Sequence, residues 1–382
     1  MKKGEKMELN NIIELLPKGY KEACWETKAM SRKKGIQDEE MLLTLCLFYA
    51  YDRSLIETQN YAKTFLSINI SDVGFMKRFM RCKDWIKWIN QHMTKDEHQM
   101  YVKPEQLDGF RVMAMDASNI VSKGAVKQIW RLHYAVNLFS MNSEIFQITP
   151  EETGESLKNF ALQPNDLVLA DRIYATITGI EHCQKCGADF ILRLRSKAFQ
   201  LYDSDGNKIL LSDLLKSTGK TALDFTVYYR NSDKELKALR VCSVEKTDAE
   251  KEIEQKKIRQ KESKKQIKLS EEAKFTHNYF FVITSLDETF SAEQILALYR
   301  LRWQVEMVFK RFKSILNMGS MPTKTATSSE VWLNCKMLIA MLIEKLLSKV
   351  DFSPYQGSEE PLAGDEDIVP FDFGLFFHRE AI

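Results

Sequence analysis

Four short apolar runs, separated by polar turns, constrain this chain most: Arg111-VMAMD, Trp130-RLHYAVNLF, Asp166-LVLAD and Asp189-FILRLR. Runs of this length bounded by turn residues read as buried strands, and the helical spacing of Ile177 to Cys186 places a helix between the last two. Strands alternating with a helix predict an α/β sheet covered by helices. A chain of 382 residues exceeds one ordinary hydrophobic core, so two or three structural units are expected.

The first hundred residues carry a different pattern. Apolar residues recur at helical spacing in Glu39-EMLLTLCLFYAY and in Phe75-MKRFMRCKDWIKWI, and strand signals are nearly absent. Ser54 ahead of LIETQNYAKTFL and Ser71 ahead of DVGFMKRFM are N-cap residues for short consecutive helices, an order compatible with a helix-turn-helix-like module. Lys77, Arg78, Arg81, Lys83 and Lys87 make the second of these basic, which suits either a phosphate-contacting helix or an ordinary solvated face. Overall charge does not decide between them, because 55 Lys and Arg stand against 53 Asp and Glu.

Beyond the four runs, Tyr202-DSDGNKIL has hairpin chemistry, and Leu223-DFTVYYR and Leu239-RVCSV alternate as strands. From Glu245 to Lys274 the chain is nearly all Lys, Glu and Gln, which cannot form a core and predicts a solvated helix or arm. Strand texture returns at Tyr279-FFVITSL, a capping box at Ser291-AEQ opens a long helix, and a second apolar helix runs from Val331 to about Val350. No apolar stretch is long enough to span a bilayer, and seven cysteines without framework spacing, with no leader-like start, point to a reducing cytoplasm.

The chemistry-bearing residues lie on this scaffold. Tyr299, Arg302, Glu306 and Lys313 follow the register Y-x2-R-x3-E-x6-K; at ~100° per residue they share one stripe of one helix, within roughly 60°. By itself the stripe reads equally well as a surface with an i,i+4 ion pair. Asp116 and Asp171, each closing an apolar run, add two carboxylates expected at strand ends beside a cleft. Three carboxylates of this kind suit two divalent ions about 3.5–4 Å apart, the arrangement that cleaves and transfers phosphodiesters.

These residues resemble the DDE transposases of bacterial insertion sequences, specifically the insertion sequence 4 group with its Y-R-E-K signature. All four signature positions match, and Asp116-ASNIVSKG, Trp130-RLH and Ala170-DRIY are similar to the segments around the family's two aspartates. The resemblance covers about residues 35 to 345. It implies an RNase H-like catalytic core interrupted by a β-rich insertion and preceded by an all-helical N-terminal domain. The expected division is 1–104 helical and DNA-binding, 105–196 core, 197–275 insertion with its charged arm, 276–350 core and C-terminal helix, and 351–382 tail. It also implies Asp116, Asp171 and Glu306 as catalytic ligands of two Mg²⁺ ions, with Mn²⁺ able to substitute. Tyr299, Arg302, Lys313, Arg172 and Tyr174 would contact DNA. The implied partners are double-stranded DNA with terminal inverted repeats, target DNA, and a second copy in a synaptic homodimer. Ile173 departs from the Gly of many relatives. In members using a hairpin pathway an aromatic residue of the insertion stacks on a flipped base, for which Tyr279 or Phe280 is the candidate.

Two other signals are discounted. His182, Cys183 and Cys186 lack a second Cys pair at zinc spacing, and His133 sits within a strand, so core packing is expected for all four. A non-catalytic DNA-binding derivative and a general RNase H-fold nuclease remain alternatives to an active transposase.

Overall fold

A computed structural model of the chain describes residues 12–33, 35–93, 100–123, 129–194, 200–216, 222–266, 268–323 and 325–348. The tail 351–382, and the last residues of the helix expected to reach Val350, lie outside these.

The N-terminal part is helical: α1 (Tyr20–Glu26), α2 (Glu39–Ala50), α3 (Leu55–Phe65), α4 (Asp72–Arg81) and α5 (Lys83–His92). Ser54 and Glu57 form a reciprocal capping box on α3, and Ser71 Oγ accepts from Gly74 N at the start of α4. The single helix expected around Phe75 to Trp88 is instead two, broken at Cys82. That break lets Phe75 and Phe79 bury one way while Trp85, Ile86 and Ile89 bury another.

A mixed sheet follows, built from β1 (Arg111–Ser122), β2 (Ile129–Asn137), β3 (Ser143–Pro150), β4 (Asp166–Ala170), β5 (Asp189–Arg193), β6 (Leu201–Tyr202), β7 (Lys208–Ile209), β8 (Ala222–Arg230), β9 (Leu236–Glu245), β10 (Tyr279–Thr284) and β11 (Ser320–Met321). The order is β3-β2-β1-β4-β5-β10-β9-β8-β6-β7, with β11 joined to the far end of β1. β1–β4, β4–β5 and β1–β11 are parallel and the other pairs antiparallel. The α6 helix (Ile177–Cys186) crosses between β4 and β5 as expected. β3 was not read from the sequence: its burial does not alternate cleanly, so the period-2 signal is weak. The hairpin at Asp203 does form, with Gly206 at φ +81° and the Asp203 carboxylate accepting from Asn207 N.

β10 pairs with β5 on one side and β9 on the other, so the strands between residues 201 and 284 prolong the same sheet. α7 (Leu211–Lys216) precedes β8. The charged run forms the solvated helix α8 (Asp248–Lys265), capped by Thr247 and Glu250, and α9 (Glu271–Thr276) leads into β10. Then come α10 (Ala292–Arg300), α11 (Trp303–Ser314) and α12 (Ala326–Ser348).

Side chains of β1 alternate between two cores. Val112 and Ala114 face the helices α1–α5 and α10–α12, whereas Met113 and Met115 face α6 and the β8–β9 region. The N-terminal helices therefore share one hydrophobic core with α12. Asn90 donates to the main-chain oxygen of Asn334 at 3.0 Å, Lys83 pairs with Glu330 at 2.9 Å, and buried Lys336 on α12 reaches Asp52 between α2 and α3 at 2.9 Å.

α12 also grips β3. Glu344 accepts from Ser143 N at 3.1 Å and Ser143 Oγ at 2.7 Å, and burial pushes its carboxyl up to about 7 from the usual 4.5. A raised folded value means that stability is fully present below about 4.5 and is lost as pH rises through about 7. Glu344→Gln should therefore match the wild type near pH 5 and be more stable by about 2 kcal/mol near pH 8. Urea unfolding at both pH values checks this; an equal gap at both would show that the carboxyl does not titrate with folding.

Candidate active site

One ion pair sets the register that builds the site. Arg111, opening β1, donates Nε and Nη2 to the two carboxylate oxygens of Asp166, opening β4, at 2.7 and 2.8 Å. The parallel register then runs from Arg111↔Asp166 to Met115↔Ala170. One step further stand Asp116 and Asp171, on neighbouring stretches of backbone about 4.8 Å apart. Asp171 lies just past the end of β4, as expected, but Asp116 does not end its strand: β1 continues to Ser122, paired with β2 and finally β11. What ends beside Asp116 is its neighbour β4, and the cleft opens there.

The helix expected to carry the whole Tyr-Arg-Glu-Lys stripe is two helices. Between α10 and α11 the hydrogen bonds shorten to three-residue spacing, Leu301 N to Leu298 O and Arg302 N to Tyr299 O, both 3.0 Å. Tyr299 is thereby buried at 6% exposure with its ring 5.4 Å from that of Phe280, while Arg302 and Glu306 face the cleft. α11 is held over β1 and β2 by Phe309 and Phe312, whose rings lie 5.9 and 5.2 Å from Tyr134, the β2 partner of Asp116. Glu306, one turn before Phe309, is so brought to the acids.

Arg302 lies between the carboxylates: it hydrogen-bonds Glu306 and places Nη1 3.7 Å from Asp116 Oδ2. Burial pushes the Asp116 carboxyl up to about 6; the Ala117 N–H and Arg302 oppose the shift, and Glu155 and Asp171 add to it. Asp171 Oδ1 is buried without a hydrogen-bond partner, 4.0 Å from Arg193 Nη1. Both carboxylates are half-buried and faced only by arginines, a setting that can also accept a metal cation. Among the described residues no three His, Cys, Asp or Glu stand close enough together, as placed, to hold one ion. Arg302 lies between Asp116 and Glu306 and contacts both.

The remaining predicted residues fall around this cleft. Arg172 and Ile173 are exposed in the turn Asp171–Tyr174, closed by Tyr174 N to Asp171 O at 3.0 Å. Ile173 is not among the residues with positive φ, so the turn accepts a branched side chain there without strain. Tyr174 is buried against Phe160, and a Cβ at Gly179 would sit 2.8 Å from its main-chain oxygen, so only Gly lets α6 start this close. The hydroxyls of Tyr174 and Tyr299 are both buried, Tyr299 beside the Arg302 guanidinium and Tyr174 without a hydrogen-bond partner. Lys313 is exposed, about 10 Å along α11 from Glu306 and on nearly the same side.

Arg193 was missed by the sequence reading. It ends β5 next to Asp171, with its guanidinium 5.1 Å from the Phe280 ring. The available signal was a cation closing the buried strand adjacent to the one that ends at Asp171. Phe280 lies in this cluster, whereas Tyr279 packs on Phe275 and Phe281. His133 is a core histidine as expected, bonded to Thr149 Oγ1 at 3.0 Å and pushed down to about 4 by burial. His182 bonds Phe160 O at 3.1 Å and packs by Cys186, also as expected.

Comparison with known proteins fits this arrangement. Residues 111–342 match the family described as the transposase DDE domain. The chain is 25% identical over 341 residues to the putative transposase InsL for insertion sequence element IS186A of Escherichia coli K12, covering 87% of this chain and 91% of that one. It is also 25% identical over 342 residues to the transposase for insertion sequence element IS421 of Escherichia coli, with the same coverage. With the transposase for insertion sequence element IS231F of Bacillus thuringiensis subsp. israelensis it shares 22% over 409 aligned positions, covering 96% and 85%. The protein is thus of the transposase class, with its acids at the end of a parallel strand pair in a mixed α/β domain. The chain belongs to the DDE transposase domain family, since the match spans more than half of it. No described helix is long and apolar enough to cross a membrane.

Proposed function

We propose that this chain is an active cut-and-paste DNA transposase of the insertion sequence 4 group, in which Asp116, Asp171 and Glu306 hold two Mg²⁺ or Mn²⁺ ions. The observation that carries this is the β1–β4 register, which delivers Asp116 and Asp171 side by side, with Glu306 linked to Asp116 through Arg302. Bound there, the ions supply a nucleophilic oxygen and a Lewis acid for the leaving oxygen.

The chain's own groups do the rest. Arg302, which contacts both Asp116 and Glu306, is placed to hold a phosphate beside the scissile bond, and Arg193 and Arg172 flank Asp171 for the neighbouring ones. The buried hydroxyl of Tyr174 is a donor awaiting an acceptor. Phe280, packed between the Arg193 guanidinium and the Tyr299 ring, is the aromatic candidate for a flipped base. The core is RNase H-like, and the strands and charged helix between residues 201 and 276 form its insertion. The N-terminal helices read the element ends, with Lys77, Arg81 and Lys87 exposed for phosphate contact. The enzyme works in the cytoplasm as a homodimer joining terminal inverted repeats to target DNA.

Family membership favours this reading over a general nuclease, and an intact carboxylate set favours it over a non-catalytic derivative. Lys313→Ala should lower the salt slope of DNA binding by about one unit and weaken binding alike for most sequences. End-binding titrations from low to high salt test this, and an unchanged slope would remove Lys313 from the phosphate-contacting set.

A further inference from the structure

The charged helix α8 sorts its side chains by sign. Glu254 and Glu262 turn towards the body: Glu254 lies 3.7 Å from Lys246 Nζ and 3.5 Å from His277 Nδ1, and Glu262 lies 4.0 Å from Lys274 Nζ and accepts from Leu269 N at 2.8 Å. Ile258, one turn from each, is buried on the same side. At ~100° per residue Lys256, Lys257, Arg259 and Lys264 point at least about 100° away from Ile258, and all four are exposed. Beyond Glu252 this outer face carries no acid, and among the described residues none of the four cations pairs with a carboxylate. The helix dipole favours cations in the last turn, which accounts for Lys264 but not for Lys256, Lys257 and Arg259.

Strand register places this face beside the cleft. Ala170 pairs with Leu192, Arg193 with Val282, and Val282 with Cys242, so Asp116, Asp171, Arg193, Val282 and Cys242 stand in one row across β1, β4, β5, β10 and β9. Four strand intervals of about 4.8 Å make that row about 19 Å long. From it β9 and β10 run on to the pair Glu245 and Tyr279, about 10 Å beyond the level of the acids, and α8 begins there at Asp248. Its root is tied by Lys246 N to Asn278 O and Lys246 Nζ to His277 O, both 2.8 Å. The N-terminal helices lie to the other side of the acids: Lys87 and Asn90 of α5 line a cleft with Ser143 to Ile148 of β3, the strand that ends the sheet on that side.

We propose that the outer face of α8, with Lys256, Lys257, Arg259 and Lys264, binds the phosphate backbone of the DNA flanking the element, across the cleavage point from the end read by the N-terminal helices. This rests on the reading of the cleft as that of a transposase. Four cations along about 12 Å of helix form a track for a polyanion, and each phosphate they neutralise releases counterions, so the contact is read from the salt dependence of binding. At about 3.4 Å per base pair, a duplex leaving Asp116 needs about six base pairs of flank to reach α8.

The test is a salt titration of duplex binding by the full chain, without divalent ions so that the DNA stays whole. Two fragments carry the element end, one with about twenty base pairs of flanking DNA and one cut back to about three. The triple variant Lys256→Gln, Lys257→Gln, Arg259→Gln should bind the long fragment with a salt slope lower by about two to three units and the short one with the wild-type slope. Its melting temperature should not change, because the three side chains are exposed. Lys208→Gln with Lys234→Gln, exposed at the opposite end of β8 and β9, controls for general charge and should change neither slope. An unchanged slope on the long fragment, or an equal loss on the short one or from the control pair, overturns the assignment of α8 to flanking DNA. If the wild type binds the end fragments no better than an unrelated duplex, the transposase reading fails and this proposal with it.

Discussion

Replacing Glu306 with Gln is expected to reduce strand cleavage and transfer by on the order of 10³-fold or more, while binding to element ends is largely kept. Loss of a group that merely supports a ligand already costs about 10–100-fold, so loss of a ligand should cost more. Removing the carboxylate also strips Arg302 of its partner and leaves that cation nearest Asp116. The free Arg302 should if anything favour phosphate, so DNA affinity should not fall with activity. Cleavage of a labelled end fragment in Mg²⁺, alongside a binding titration of the same fragment, separates the two. Wild-type cleavage by Glu306→Gln would sink the assignment, and a parallel loss of binding would show that Glu306 acts through the fold.

Lys336→Ala is expected to lower stability by about 3 kcal/mol and the melting temperature by about 5–10 °C. Lys336 is fully buried on α12, donates to Asp52 at 2.9 Å and to the main-chain oxygen of Leu316, and lies 4.9 Å from the Trp332 ring. Burial lowers its affinity for the proton, and Asp52 opposes that shift. Truncation leaves the Leu316 carbonyl oxygen without its Lys336 donor, leaves Asp52 held by Asn317 Nδ2 at 3.0 Å, and opens a cavity. Asp52 is partly solvated at 35% side-chain exposure, which keeps the loss at the low end for a buried pair. Lys336→Met keeps the stem and should lose less. A loss below about 1 kcal/mol for Lys336→Ala would show that the latch between α12 and the α2–α3 turn does not hold the N-terminal helices. The same shared core means that a chain lacking residues 1–100 would expose the apolar face of α12, so end recognition is better tested with Lys77, Arg81 and Lys87 variants.

Much of the scaffold was legible because its signals are local. Ser54, Ser71 and Ser291 cap the helices they precede, the Asp203 hairpin closes on Gly206, and the charged run is a solvated helix. Asp116, Asp171 and Glu306 stood out in the sequence by residue type and order, and the structure links Asp116 to Glu306 through Arg302. β3 was not, because its side chains are mostly half-buried and lack a period. The break at Cys82 and the tightened turn at Arg302 were not either, since continuous helical spacing does not show where a helix must change direction to bury two faces.

The sequence by itself determined where helices begin, which runs are buried, and which acids are available, because capping, turn chemistry and hydrophobic periodicity act over a few residues. Only the tertiary structure decided that Asp116 sits in mid-strand where β4 stops beside it, that Arg302 bridges Asp116 and Glu306, and that Arg193 joins the cleft beside Asp171. Those relations depend on strand register and on packing between residues far apart in the chain. Register here is fixed by a pairing, Arg111 with Asp166 across 55 positions, that no local window contains.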